Sequence, residues 1–314
     1  ACKIQYPDMR SAVRSDTRQL KILFKLFEQY DKAISTHLIM EELEERLWEE
    51  LDYKREAKHT KLYRDMLDKR DDIFVPEVVD NLTTDRLLTA SWLPGQSIRN
   101  FEDAPQAIKR TIAEKLFYAW YLPFYNYGII HGDPHLGNYS IRDDHALNLL
   151  DFGCIRVFPA RFVEGVITLY RALERDSRDQ AIHAFELWGF DNLSQDAIDT
   201  LLIWANFLYD PILENKTRVI GRDETGIYGR ETATKVHKAL KEAGGVTVPR
   251  EFVFMDRAAL GLGSVFIRLQ AEMNWHDLFQ GLIADFDPDT LQSKQDQLLK
   301  RHGLYNKTIK KSEH

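Results

Sequence analysis

Two short polar motifs constrain this chain more than any other feature of its sequence. The first is HGDPHLGN at 131–138, and the second is DFG at 151–153. Within them, Asp133 precedes Asn138 by five positions, and Asn138 precedes Asp151 by thirteen. A lone DFG often arises by chance, but both motifs at this separation rarely do. We therefore treat the pair as one functional unit.

The segment between the motifs predicts how they meet in space. Apolar residues dominate 139–141 and 147–150, and the polar turn 142–145 separates them. Two such runs joined by a short polar turn predict a β-hairpin. Asn138 would then lie at the entry of the hairpin and Asp151 at its exit, so their side chains should converge.

The residue types and their spacing are typical of the phosphoryl-transfer centre of kinase-fold enzymes. There, a catalytic-loop Asp orients the acceptor hydroxyl, and an Asn five residues later holds magnesium together with the Asp of the DFG turn. Carboxylate and amide oxygens are ligands that Mg²⁺ accepts readily. We therefore predict Asp133 as the catalytic residue of an ATP site, with Asn138 and Asp151 as its magnesium ligands. The alternative is two unrelated polar turns.

Composition excludes several classes of protein. The chain is 44% hydrophobic and 29% charged with a net charge of −7, which disfavours a nucleic-acid partner. Cys2 and Cys154 lie far apart, so we expect no disulfide framework, no zinc site and a reducing compartment. The most apolar run, 117–130, is interrupted by Pro123. It predicts a buried helix beneath the catalytic loop rather than a membrane span.

Hydrophobic periodicity divides the chain into a small β-containing part and a larger helical part. Strands are predicted over 75–79 and 86–92, and Leu93-Pro94-Gly95 ends the pattern. The expected divisions are an N-lobe at 1–94, a helical C-lobe at 95–290 and a basic tail at 291–314, frayed from Lys300. The predicted helices cover 15–30, 35–67, a segment starting near Asp103, 160–175, 177–188, 195–209, 231–243 and 250–272, with a long loop over 211–230.

The acidic segment around Glu50 offers partners for a basic residue. If 35–67 is one helix, Glu50 lies about 120° from Glu56 around the axis, at roughly 100° per residue. One lysine should therefore not serve both carboxylates, so Glu50 would point away from Lys3 if Glu56 meets it. Asp52 shares a face with Glu56, a like-charge pair that needs a facing cation. The alternative is an acidic helix face exposed to solvent.

The chain resembles the UbiB family of atypical kinase-like proteins, also called AarF or ADCK-type, which is linked to ubiquinone biosynthesis. The resemblance covers about residues 1–275 and includes a long helical insertion in the N-lobe. It rests on KIQYP at 3–7, ExDYxxEA at 50–57, HGDPHxGN at 131–138 and LDFG at 150–153.

The resemblance implies an α+β, two-lobed protein-kinase-like fold with a small N-lobe and a larger, mainly helical C-lobe. Lys3 then resembles the lysine that binds the ATP phosphates, and Glu56 its ion-pair partner, both belonging to the catalytic centre with Asp133. Glu50 and Asp52 are similar to the family's ExD motif, which engages a KxGQ segment. That segment and the nucleotide-covering loop should precede Lys3, so we expect the N-lobe to be truncated at its start.

Two departures from the family pattern concern the nucleotide hinge and the catalytic loop. Ser91 stands where a hinge Glu is usual, and its neighbours Ala90 and Trp92 are expected to contact the nucleotide. Gly132 stands where the family more often has Ala and where protein kinases have Arg, and no A-P-E follows DFG. Phosphorylation of proteins in trans is therefore disfavoured.

Three interpretations remain open at this point. The leading one is a UbiB-type kinase or ATPase that uses Mg-ATP and supports ubiquinone biosynthesis. The second is a small-molecule kinase of the aminoglycoside or choline phosphotransferase type. The third is a catalytically silent, kinase-like lipid-binding scaffold, which the retention of Lys3, Asp133, Asn138 and Asp151 disfavours.

The resemblance also implies partners and a location. Besides ATP and Mg²⁺, we expect a quinone precursor or lipid, proteins of ubiquinone biosynthesis and a peripheral membrane contact. The expected location is the cytoplasm or the face of the inner membrane, or the mitochondrial matrix in a eukaryote.

Overall fold

The computed structural model describes residues 1–30, 44, 47–220 and 249–305. Their architecture is α+β, as expected, with short strands near the N-terminus and around the two motifs, and helices elsewhere. The elements of the N-terminal part are β1 (Cys2–Ile4), α1 (Met9–Tyr30), α2 (Tyr53–Met66), β2 (Ile73–Phe74), β3 (Leu87–Thr89) and β4 (Gln96–Ser97).

The pairing of the N-terminal strands differs from the expected local pair. β3 pairs antiparallel with β1, which places Lys3 opposite Leu88. The predicted strand at 75–79 contributes only a single bridge, Val78 to Ala90. Pro76 lies within that segment and has no N–H to donate, which weakens it as a strand. β2, just before it, pairs instead with a strand of the hairpin between the motifs.

The helices of the N-terminal part correct two predictions. α1 begins at Met9 rather than at 15. The predicted helix over 35–67 lies partly outside the described residues, and in the described part it is not continuous. A turn at Glu50 and Leu51 interrupts it, and α2 starts afresh at Tyr53. Asp52 is the N-cap of α2, with its carboxylate accepting the Arg55 N–H at 2.9 Å.

The C-terminal part is mainly helical and contains the larger core. The predicted hairpin between the motifs is confirmed, because β6 pairs antiparallel with β7. The elements are α3 (Gln106–Tyr127), β5 (Ile129–His131), β6 (Tyr139–Ile141), β7 (Leu147–Leu149), β8 (Ile155–Val157), α4 (Ala160–Glu174), α5 (Arg178–Leu187), α6 (Gln195–Leu213), β9 (Thr217–Val219), α7 (Arg250–Leu269), β10 (Glu272–Asn274), α8 (Trp275–Ile283) and α9 (Pro288–Arg301).

The aromatic helix α3 is the centre of this core, as predicted. Phe117, Trp120 and Phe124 are almost fully buried along it. The helix ends at Gly128, whose φ of 63° is in the left-handed region that favours glycine. It leads directly into β5 and the first motif. No described helix is both long and apolar enough to cross a bilayer.

Helix boundaries in the C-terminal part are partly corrected. α6 continues past the predicted end at 209, through Pro211 to Leu213, and β9 follows, so the first part of the expected loop is structured. α7 ends at Leu269 rather than 272, because Gln270 adopts a left-handed φ of 49°. The helix predicted over 231–243 lies outside the described residues.

The segment expected to be a basic tail is a packed helix as far as Arg301. The expected boundary at 291 falls inside α9, whose Leu291, Leu298 and Leu299 are buried. Gln295, 1% exposed, donates from Nε2 to the carbonyls of Tyr127 at 2.7 Å and Phe158 at 2.9 Å. These carbonyls flank the β5–β8 pair, so α9 supports the strands that carry the catalytic loop.

Candidate active site

The structure brings Lys3, Glu56 and Asp151 together from three distant parts of the chain. Lys3 Nζ lies 2.9 Å from both carboxylate oxygens of Glu56 and 3.0 Å from Oδ2 of Asp151. β1 supplies the lysine, α2 the glutamate, and the turn after β7 the aspartate. Glu56 is only 4% exposed, so its charge depends on this ammonium group for compensation.

Burial and the attraction between the lysine and the two carboxylates set the pKa values in this cluster. Burial lowers the pKa of Lys3, but Glu56 and Asp151 raise it by more, so the net pKa lies above its ordinary value. Burial raises the pKa of Asp151, but Lys3 and the Gly153 N–H lower it by more, so the net pKa is below its usual value. Burial raises the pKa of Glu56, and Lys3 offsets only part of that. Lys3 therefore stays charged at neutral pH.

The catalytic-loop residues Asp133 and Asn138 also contact each other. Asn138 Nδ2 donates to Oδ2 of Asp133 at 3.0 Å and to its carbonyl at 3.1 Å. Asp133 is exposed. A carboxylate that is exposed to an incoming molecule and held by a neighbouring amide is suited to orient an acceptor group.

His131 connects the catalytic loop to the DFG turn, a role that the sequence did not reveal. Its Nε2 lies 2.5 Å from the Asp151 carbonyl, and its Nδ1 accepts the Asp133 N–H at 3.3 Å. Because a carbonyl only accepts, Nε2 carries the proton. Burial lowers the pKa of His131, which keeps the ring neutral and preserves both bonds.

His59 supports the DFG turn from the α2 side. Its Nδ1 lies 3.1 Å from the Phe152 carbonyl and therefore donates to it. Burial lowers the pKa of His59 to about 4, and Arg55 contributes in the same direction. The ring is therefore neutral at pH 7.

We expect His59 to make the protein less stable as the pH falls from about 6.5 towards about 4. In that window the unfolded chain binds a proton at this ring and the folded chain does not, so the free energy of unfolding decreases with falling pH. The full effect is at most about 3.5 kcal/mol, because the shift is about 2.5 pKa units at roughly 1.4 kcal/mol each. Chemical denaturation of the parent and His59→Phe at pH 7 and pH 5 measures it. A pH dependence that is the same in both proteins would contradict this assignment.

The prediction that Glu50 points away from Lys3 is wrong. A Cβ placed on Gly153 would lie 3.4 Å from Oε2 of Glu50 and 3.3 Å from Oδ1 of Asp151, so both carboxylates face the DFG turn. Burial raises the pKa of Glu50, and the like charge of Asp151 raises it further. The prediction failed because it assumed one continuous helix, whereas the chain turns at Glu50.

The other acidic residues of this segment have structural contacts. Asp52 caps α2 instead of sharing a helix face with Glu56. Glu49, which sequence reasoning did not single out, pairs with Arg156 of β8 at 2.8 Å and with Arg55 at 2.7 Å. These pairs connect the start of α2 to the strand after the DFG turn.

The two residues expected at the nucleotide hinge, Ala90 and Trp92, are not part of the Lys3–Glu56–Asp151 cluster. The Ala90 N–H donates to the Ala1 carbonyl at 3.0 Å, as part of the β1–β3 pairing. Trp92 is 75% exposed. Their contact with a nucleotide stays a prediction.

The donor set of the two motifs fits magnesium. Mg²⁺ commonly takes one or two protein oxygen ligands and completes its shell with water and phosphate oxygens. Asp151 provides a carboxylate with a lowered pKa. Asn138 donates from Nδ2 to Asp133, so its amide oxygen Oδ1 is the atom left to bind a cation. Asp151 Oδ2 is bound to Lys3 and Oδ1 accepts the Gly153 N–H, and each oxygen retains further acceptor capacity.

Comparison with known proteins shows the family of this chain. Residues 1–183 match the family model of the ABC1 atypical kinase-like domain. Atypical kinase COQ8B, mitochondrial, of Rattus norvegicus is 26% identical over 291 residues, which cover 89% of this chain and 53% of that protein. Atypical kinase coq-8, mitochondrial, of Caenorhabditis elegans is 26% identical over 60% of this chain and 26% of its own length. The chain thus spans about half or less of these relatives.

A solved structure gives the same fold. The complex of Rv3197 with erythromycin from Mycobacterium tuberculosis superposes with a TM-score of 0.67 over 90% of this chain and 70% of that one, at 20% identity. The two-lobed, kinase-like α+β fold expected from the motifs is therefore confirmed. With more than half of its length matched by the family model, the chain belongs to the ABC1 atypical kinase-like family, which confirms the resemblance to UbiB proteins.

Proposed function

We propose that this chain binds Mg-ATP and acts as a UbiB-type atypical kinase or ATPase. The observation that carries the proposal is the position of Lys3, which bonds Glu56 at 2.9 Å and Asp151 at 3.0 Å. A lysine held by a helix glutamate beside the DFG aspartate is what a kinase site needs to bind phosphates.

Each residue of the cluster has a distinct task in this proposal. Lys3 binds phosphate oxygens, and Glu56 holds its ammonium group in place. Asn138 and Asp151 hold magnesium, which supplies charge compensation for the phosphates when it is bound. Asp133 orients the acceptor and takes its proton.

Packing at Gly132 supports an acceptor other than a protein in trans. Its N–H donates to the Cys154 carbonyl at 2.6 Å, and an added Cβ would lie 2.6 Å from Cys154 Sγ. The phosphate-reading Arg of protein kinases cannot be placed there without a shift of this turn. α4 also begins at Ala160, soon after DFG, which leaves little chain for a peptide platform. A small molecule, a lipid or water is therefore the proposed acceptor.

The family likeness supports a place in ubiquinone biosynthesis. By this proposal the chain works with other proteins of that pathway on a quinone precursor or lipid. It would do so in the cytoplasm or peripherally on the inner membrane, or in the mitochondrial matrix of a eukaryote, as the word "mitochondrial" in the relatives' names supports.

The test is nucleotide-induced stabilisation of the full-length protein. At a concentration about a hundred times its dissociation constant, Mg-ATP should stabilise the parent by about 2.7 kcal/mol. Asp151→Asn should abolish this effect, because it removes a charged ligand of the magnesium ion. The exposed hairpin residue Asp143 provides the control, since Asp143→Asn should retain the full stabilisation. Equal stabilisation of the Asp151 variant and the parent would contradict the magnesium role, and no stabilisation of the parent would favour the silent scaffold.

A further inference from the structure

A large cavity lies in the helical part of the chain, separate from the Lys3 cluster. Its volume is about 930 Å³, and residues of α3, α4, α6, α7 and α8 line it. This volume is near the upper end for sites that bind drug-sized molecules, roughly 300–1,000 Å³. Lys3, Asp133, Asn138 and Asp151 are not among the lining residues.

The wall of this cavity is dominated by aromatic side chains. Trp188, Trp204 and Trp275 contribute to it, together with Phe117, Phe252 and Phe279. Its charged lining residues, Asp210 and Arg218, form an ion pair with each other. Because neither charge is left without a partner, the cavity favours a neutral, largely apolar molecule over an ion.

Two tyrosine hydroxyls are polar groups of the cavity wall that make no hydrogen bond within the described part of the fold. Tyr121 and Tyr125 both line it, with stacked rings whose centroids are 6.1 Å apart. Tyr125 is 5% exposed and Tyr121 is half-buried, and among the described residues neither phenol forms a hydrogen bond. By contrast, the neighbouring Tyr209 donates to the Val166 carbonyl at 3.0 Å. A hydroxyl at a cavity wall that donates to no protein group can donate to a ligand oxygen, and two such hydroxyls on one cavity favour a ligand that carries one.

The protonation of these phenols fixes what that ligand must offer. Burial raises the pKa of Tyr121 to about 12, and it raises the pKa of Tyr125 well above its ordinary value. Both groups are therefore neutral O–H donors at pH 7. A carbonyl oxygen has two lone pairs and accepts from both donors at once.

We propose that this cavity is a binding site for a neutral, largely apolar small molecule whose carbonyl or hydroxyl oxygen is bound by Tyr121 and Tyr125. The site is distinct from the proposed nucleotide site, so a ligand can occupy it in the absence of Mg-ATP.

Helix α7 lies between this cavity and the catalytic loop. Gly263 and Met255 line the cavity. Gly261 is on the nearly opposite side of the helix from Gly263, at roughly 100° per residue. It packs so closely against Pro134 that an added Cβ would lie 2.1 Å from Pro134 Cγ. A ligand in the cavity therefore contacts the helix on which the catalytic loop rests.

The test uses two probes that differ only in the oxygen. Heptanophenone carries a carbonyl beside its ring, and heptylbenzene has a methylene in its place. Both are measured by displacement of the neutral fluorescent dye N-phenyl-1-naphthylamine, excited by energy transfer from the three tryptophans that line the cavity. All measurements are made without nucleotide, so a failure of the Mg-ATP proposal leaves their outcome unaffected.

Two sets of variants locate the site and its polar contact. The double variant Tyr121→Phe/Tyr125→Phe should weaken heptanophenone about tenfold, which corresponds to about 1.4 kcal/mol for the two hydrogen bonds together, and leave heptylbenzene unchanged. Gly263→Leu should weaken binding of the dye and of both probes. An added Cβ meets open space at this cavity-lining position, so the leucine side chain would occupy part of the cavity. Gly281→Leu, at an exposed and equally uncrowded glycine of α8, should change none of them.

Several results would overturn the proposal. They are no binding of dye or ketone to the parent, equal loss of both probes in the tyrosine variant, and unchanged binding in Gly263→Leu. Thermal unfolding of each variant, compared with the parent, shows whether it is folded. If Gly263→Leu fails to fold, the tyrosine variant alone decides, because Tyr→Phe keeps the ring that packs in the core.

Discussion

Replacement of Asp133 by Asn should lower ATP turnover about a thousandfold, within the range of roughly 10²–10⁴ typical for the loss of a general acid–base group. The carboxylate of Asp133 is exposed and is held by Asn138 Nδ2 at 3.0 Å. An amide at this position keeps a similar shape but cannot take a proton from an acceptor. Nucleotide affinity should stay unchanged, because Asp133 is not a proposed ligand of ATP or magnesium.

The measurement is ATP hydrolysis and autophosphorylation by the full-length protein, with nucleotide affinity determined in parallel. Asp143→Asn, which removes an exposed carboxylate from the nearby hairpin turn, is the matched control and should retain parental turnover. Turnover by Asp133→Asn that equals the parent would show that another group orients the acceptor. A parallel loss of affinity would show that Asp133 acts in binding instead.

Glu56→Gln and Glu50→Gln should have different effects on stability, although both remove one negative charge beside the same cluster. Glu56 is 4% exposed and accepts both 2.9 Å contacts from Lys3. Its loss should cost about 2 kcal/mol, less than the 3–5 kcal/mol for breaking a fully buried pair, because Lys3 is 36% exposed. Burial and the like charge of Asp151 raise the pKa of Glu50 by more than Lys3 lowers it, so removal of its charge should leave stability equal or higher.

Chemical denaturation of this chain at pH 7 compares the two variants directly. Nucleotide affinity adds a second readout. Without Glu56, Lys3 is less well positioned for the phosphates, so Glu56→Gln should weaken ATP binding and Glu50→Gln should not weaken it through Lys3. An equal loss of stability in both variants would mean that a cation within this chain compensates Glu50, and would contradict the difference assigned to the two glutamates.

The parts of the site that sequence reasoning predicted are those encoded locally. The hairpin follows from two apolar runs and one polar turn, and its register brings the Asn138 carbonyl to the N–H of Leu150, one residue before Asp151. Glu50 was misplaced because a helical wheel is valid only within one helix. The signal for the break was present in Asp52, a preferred N-cap residue, but acidic residues on both sides obscured it.

Other features depend on contacts between distant segments, which periodicity does not report. β3 takes β1 as its main partner, and the adjacent segment at 75–79 adds only the Val78–Ala90 bridge and its hydrogen bonds. The C-terminal helix α9 was missed despite Asp287 as its N-cap and Pro288 at its first turn, because its basic end resembled a solvated terminus. The cavity combines five helices, and no single segment of sequence could indicate it.

The two hydrogen bonds of Gln295 have a consequence for the order in which this protein folds during synthesis. The carbonyls of Tyr127 and Phe158 belong to segments that leave the ribosome long before α9 does. Until Gln295 arrives, the β5–β8 pair that carries the catalytic loop has carbonyls that require water or a temporary partner. The nascent chain thus passes through a stage in which both motifs are synthesised but their support is incomplete. A polypeptide that stops before α9 would present the exposed apolar surface that chaperones recognise.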